Sequence, residues 1–331
     1  MAISMRRTST GSSWSDLTLV VGGLAVASAI ELAILRTFTR TAIHIPALNA
    51  LQEPYEVLSK GGRYAYFVAV ALMLPAMAML ALQFGRRGFA ALFGVLLFAA
   101  VAAGAAAGVG GRLILDWATL TAIVVLAGGL AIQSPRRAAA LPLASFGLAF
   151  AMSGAYSAAP DFAEAGANVE FPGWLLDGAE ISGLAFALTA PLIASGRGDR
   201  AARWTGLAIG GMALLVFLGN GSTSRFLLLW NVGLSGILPG FLYAAAAGTL
   251  SYTVVALARS GRGLEAAGLG LLITGGIGLH STYQSGLVVA GLAALWAGTL
   301  AAAQAGEGAE TRAETPDTEP QQSPASFAAT S

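Results

Sequence analysis

Cysteine is absent from the 331 residues, which excludes disulfides, thiolate nucleophiles, Cys-ligated zinc, iron–sulfur clusters and c-type haem attachment. Lysine is nearly absent: Lys60 is the only one and lies outside the apolar runs, so no span can carry a retinal-type Schiff base. Histidine occurs only at His44 and His280. Charged residues make up 11% of the chain, against about 25% in soluble globular proteins. The formal net charge is +1 and the arginines are scattered through turns. No clustered cationic face results, and nucleic acid is not an expected partner.

What fills the chain is apolar: 56% of residues are hydrophobic and the mean hydropathy is +0.71. Runs of about twenty mostly apolar residues, each long enough for a ~30 Å hydrocarbon core, fall at 17–35, 64–84, 89–109, 113–133, 138–158, 174–194, 204–220, 232–257, 263–281 and 285–303. Barrel strands need about ten residues with strict alternation, so continuous runs of this length leave helices as the only spanning form. The predicted fold class is all-α: a polytopic helical membrane protein of about ten transmembrane helices, with the lipid bilayer as its surroundings.

Orientation follows from the basic residues, because cytoplasmic links retain them during insertion. Twelve arginines (6, 7, 86, 87, 136, 137, 197, 200, 203, 259, 262 and 312) fall on one side, against six basic residues (36, 40, 60, 63, 112 and 225) on the other. Both termini are thus expected in the cytoplasm of a cell whose Arg-, Ala- and Gly-rich composition fits a GC-rich bacterial genome. The plasma membrane is the expected location. The link at 159–173, which carries Asp161, Glu164 and Glu170 without a basic residue, divides the spans into two groups of five. An odd number per half would invert the second half relative to the first, as in many secondary transporters.

Residues 1–16 are read as a cytoplasmic N-terminal segment and 17–303 as the transmembrane domain. Arg6, Arg7, the first apolar stretch and Ala27-Ser28-Ala29 also fit a cleaved signal peptide. In the long outer link 36–63, Leu48, Leu51, Tyr55 and Leu58 recur at helical spacing after Pro46, which predicts a short helix lying on the membrane surface. Residues 304–331, with five acids against Arg312 and with Pro316, Pro320 and Pro324, read as a disordered acidic tail.

Polar groups inside apolar runs are the functional candidates, because ionisable side chains at membrane depth are costly and usually face a protein or water-filled interior. Glu31 and Glu180 are two such acids; Asp16, Asp199 and Glu265 map to the inner side. Residues 226–257 would measure ~48 Å as one helix, so this stretch must break, tilt or begin outside. A break between Gly233 and Pro239 would expose backbone at membrane depth, and Pro239 as a simple kink is the alternative. His280 closes the last hairpin after Gly275, Gly276 and Gly278. The expected substrate-binding set is Glu180, Asn220, Arg225, Asn231 and His280, on the outer side.

No cofactor or metal is expected. A haem held by His44 and His280 would consume both histidines, and no His-x-x-x-His or Glu-x-x-His pattern exists. Gly104, Gly108, Gly110 and Gly111 lack a Gly-Lys-Ser/Thr ending and suit helix packing, not phosphate binding. The expectation is a secondary transporter or permease-like protein that handles a small molecule or ion. The alternative is a non-transporting component: a subunit of a membrane complex or a lipid-modifying enzyme.

Overall fold

The computed structural model describes residues 11–31, 52–83, 111–134, 137–157, 173–194, 199–220, 238–276 and 282–313. All regular structure among them is helical: α1 (Gly11–Glu31), α2 (Gln52–Gln83), α3 (Gly111–Gln133), α4 (Arg137–Ser157), α5 (Trp174–Thr189), α6 (Pro191–Ala194), α7 (Arg200–Asn220), α8 (Leu238–Arg259), α9 (Gly263–Gly276) and α10 (Thr282–Ala313). Five described segments are long and apolar enough to cross a membrane: Lys60–Leu80, Arg137–Tyr156, Trp174–Ala194, Arg200–Leu218 and Leu238–Arg259. Four shorter apolar helices accompany them, at Leu17–Glu31, Thr119–Ile132, Gly263–Gly275 and Ser285–Thr299. The expected span at 89–109 and most of the acidic link lie outside the described residues.

Several boundaries differ from the sequence expectation. Residues 52–63 are not a separate surface helix but the start of α2, so Tyr55 and Leu58 ride on the same continuous helix as the span. Residues 304–313 extend α10 instead of opening the tail. Both differences have one cause: a helix does not end where hydropathy ends, because a polar turn costs nothing once it leaves the hydrocarbon. Likewise α1 begins at Gly11, inside the segment read as cytoplasmic, and runs unbroken through Ala27-Ser28-Ala29. Pro239 is the second residue of α8, a first-turn position where its missing N–H has no intrahelical partner to lose. It starts this helix and does not kink it.

α10 is the axis of the bundle. Residues 286–296 are all buried, and α10 packs against α1, α2, α3 and α9. Leu24 and Met73 belong to this core with Leu126, Leu269, Leu272 and Leu292. The last described helix is therefore packed on the first three. In lipid, where apolar contact between helices gains little over contact with acyl chains, close packing depends on small residues. At the α9–α10 crossing, a Cβ on Gly268 would sit 2.8 Å from the Gly291 carbonyl oxygen. At α7–α8, a Cβ on Gly206 would lie 2.8 Å from the Gly248 carbonyl oxygen, and one on Gly210 2.8 Å from that of Ala244. These helices touch backbone to backbone.

The turn from α8 to α9 is closed by Gly261, whose φ of +78° suits a residue without Cβ. Arg262 N–H donates to Leu257 O at 3.0 Å and Gly261 N–H to Ala258 O at 3.3 Å, the paired bonds of a Schellman stop. α7 is started by Asp199, whose Oδ1 accepts from Ala201 N–H at 3.2 Å.

Candidate functional site

α5 and its continuation α6 carry the best-defined candidate. Ala179, Glu180, Gly183, Phe186 and Ala187 recur at helical spacing and are buried. On one side lies α4, antiparallel: Met152 occupies the space a Cβ on Gly178 would take, and the Phe146 and Phe186 rings meet edge-on at 5.1 Å. On the other lies α8, parallel, with Thr249 opposite Ala187 and with Arg262, in the turn that follows α8, opposite Ile193 and Ala194. α5 is thus held between two helices, and its Glu180 is 0% exposed. Two turns from the Ala187–Thr249 contact toward the start of both helices, the α5–α8 register brings buried Tyr243 level with Glu180.

Pro191 interrupts the hydrogen-bond ladder of this helix while Ala190 keeps right-handed helical angles (φ −49°, ψ −36°), and its missing N–H leaves Ala187 O, four residues back, without its helical donor. The Thr249 Oγ1 hydroxyl from α8 lies 2.8 Å from that oxygen. Its single proton also has Ala245 O at 2.8 Å and Ala246 O at 3.0 Å within reach. Those two carbonyls already serve α8's own ladder, so donation to Ala187 O is the bond that satisfies an otherwise unserved group. Thr249→Val is expected to destabilise the bundle by about 1 kcal/mol and Thr249→Ser to be nearly neutral, as read by unfolding in mixed micelles.

Beyond Pro191, Arg262 holds the end of α6. Its guanidinium donates to Ile193 O at 3.0 Å and to Ala194 O at 3.3 Å, and it is ion-paired with Glu265. Glu265 is 1% exposed and packs where a Cβ on Gly298 of α10 would stand. The sequence reading placed Glu265 among the inner acids and missed this cluster. The available signal was Arg262 and Glu265 three residues apart in the first turn after Gly261, a spacing that faces them on a helix. Nearby, Asp199 pairs with Arg259, tying α7 to α8.

The other expected site residues fare unevenly. Asn220 is the last residue of α7, which runs antiparallel to α8 with Phe217 beside Gly240, so it stands near the start of α8, at the end of that helix remote from Arg259. Arg225, Asn231 and His280 lie outside the described residues, as does His44. Glu31, 3% exposed, is interior like Glu180, but α1 packs on α2 and α10 while α5 packs on α4 and α8. Ser28, one turn before Glu31, lies against α10, its Oγ 2.8 Å from where a Cβ on Gly286 would stand. Among the described residues no group of three or more His, Cys, Asp or Glu side chains could hold a metal ion.

A buried carboxyl of this kind can take up or release a proton, or hold a cation, at a cost that only its protein partners offset. The class these features define is an all-helical protein with membrane-length apolar helices and interior carboxyl groups. No protein-family model, curated protein or solved structure matches the chain.

Proposed function

We propose that this chain is a secondary transporter or permease-like protein of the cell membrane, with about ten spans, both termini cytoplasmic and two five-span halves. The observation that supports it most is Glu180, wholly buried on a helix whose hydrogen-bond ladder Pro191 interrupts, held before that point by Thr249 of α8 and beyond it by Arg262 of the α8–α9 turn. An ionisable group inside the packed bundle, on a helix whose ladder is interrupted about three turns further on, is a feature from which transport sites at membrane depth are built. In this reading Glu180 meets the substrate or coupling proton, with Asn220, Arg225, Asn231 and His280 lining the outer approach. The Arg262–Glu265 cluster closes the inner end, and α6 swings about Pro191 when that latch releases.

Proteoliposomes containing the full chain and a trapped pH dye test this. Under an imposed gradient of candidate solutes, Glu180→Gln, which preserves side-chain volume, is expected to lower coupled flux at least tenfold while the protein inserts and unfolds like wild type. Equal flux in the two proteins, or no flux of any solute or proton in either, rejects the proposal.

One observation favours a second reading, a non-transporting subunit or lipid-modifying component. α7 has its packed interface with α8 alone among the described elements and turns Leu207, Met212 and Leu215 outward. Stoichiometric co-purification of another membrane subunit with α7 at the contact, together with absent flux, would select it.

A further inference from the structure

From the outward stripe of α7 we infer a binding site for one anionic phospholipid of the inner leaflet. The inference rests on the membrane placement of the bundle and is independent of transport. Arg203, Trp204, Leu207, Gly211 and Leu215 fall three, four, seven, eleven and fifteen residues after Arg200, and all six are exposed, so they form one stripe along one helix face. Their order is that of a phospholipid read from its headgroup: two guanidinium groups, then an indole suited to the interfacial region, then an apolar track. From Arg200 to Leu215 the helix rises ~22 Å, which matches one leaflet with its headgroup layer, half of a ~40–45 Å bilayer.

Three further observations bear on the occupant. Neither Arg200 nor Arg203 is ion-paired among the described residues, and the nearest acid, Asp199, is already engaged by Arg259 and by the Ala201 N–H. The headgroup end is thus net positive and complements a phosphate diester, whose oxygens guanidinium can bind in bidentate fashion. Midway along the track, a Cβ on Gly211 would meet nothing within 4 Å, leaving a notch against which an acyl chain can lie. The opposite face of α7 is closed by Gly206 and Gly210 against α8, so the stripe cannot turn inward. A zwitterionic lipid offers the same acyl chains and its own phosphate but carries no net charge to match the two arginines.

Native mass spectrometry of the full chain in detergent, titrated separately with dioleoylphosphatidylglycerol and dioleoylphosphatidylcholine, tests the site. Each arginine near an anionic headgroup is worth about a fivefold preference, so Arg200→Gln with Arg203→Gln is expected to weaken phosphatidylglycerol binding roughly twentyfold. Phosphatidylcholine binding should not change, and because both side chains are exposed, the lipid-free protein should unfold like wild type. If the double variant is poorly made, the wild type alone suffices: raising salt should erode its phosphatidylglycerol preference and leave phosphatidylcholine untouched. Equal binding of the two lipids by wild type, unchanged phosphatidylglycerol affinity in the variant, or a photo-cross-linker at position 211 that captures another membrane subunit in native membranes instead of lipid would each overturn the site.

Discussion

Arg262→Met is expected to destabilise the protein by about 3–5 kcal/mol, the loss typical when one partner of a buried ion pair is removed. The substitution takes the cation from Glu265, which is 1% exposed, and the side-chain donor from Ile193 O and Ala194 O. Replacing both partners, as Arg262→Met with Glu265→Leu, should recover most of the loss, because no stranded carboxylate remains. Equilibrium unfolding in mixed micelles provides the double-mutant cycle. A double variant as unstable as the single would place the cost in lost packing, not in a stranded charge. Arg259→Gln is the contrast: that arginine also pairs with an acid, Asp199, but the side chains are 60% and 30% exposed. Solvent screens such a pair, and its loss should cost under about 1 kcal/mol. Burial, not the number of ion pairs, decides which arginine matters.

Gly268→Leu should cost about 3 kcal/mol or more, at the upper end of overpacking effects. The new Cβ would stand 2.7 Å from the Leu295 backbone nitrogen and 2.8 Å from the Gly291 carbonyl oxygen. Neither atom can rotate aside, so α9 and α10 must separate. Because α10 is also packed against α1, α2 and α3, the displacement has no free direction and reaches most of the core. Gly22→Ala is the control: it faces open space, and the gain in helix propensity should stabilise it by up to about 1 kcal/mol. Thermal unfolding of purified variants should rank Gly268→Leu well below wild type and Gly22→Ala at or above it. Equal stability of all three would mean that the α9–α10 crossing is looser than its geometry implies.

The helices were legible because lipid leaves a backbone no other solution: apolar runs with no water to bond must pair their own N–H and C=O groups. Glu31 and Glu180 were legible as exceptions within those runs. Their burial was not, since an acid near the end of its apolar run can as readily extend to water as face a neighbour. The burial of Glu265 was not legible either, because nothing in the sequence of the first turn after Gly261 shows that α10 presents Gly298 to cover it.

The amino-acid order by itself determined the helical class, most of the helix positions and which acids lie in apolar surroundings, all consequences of local composition and backbone chemistry. Tertiary structure alone decided that α10 is central, that Thr249 serves the carbonyl left by Pro191, that Arg262 and Glu265 close one end, and that α7 turns its arginine–tryptophan stripe outward. Hydropathy cannot separate these cases, because a side chain facing lipid and one facing another helix meet equally apolar surroundings. Only the packing of one backbone against the next distinguishes them.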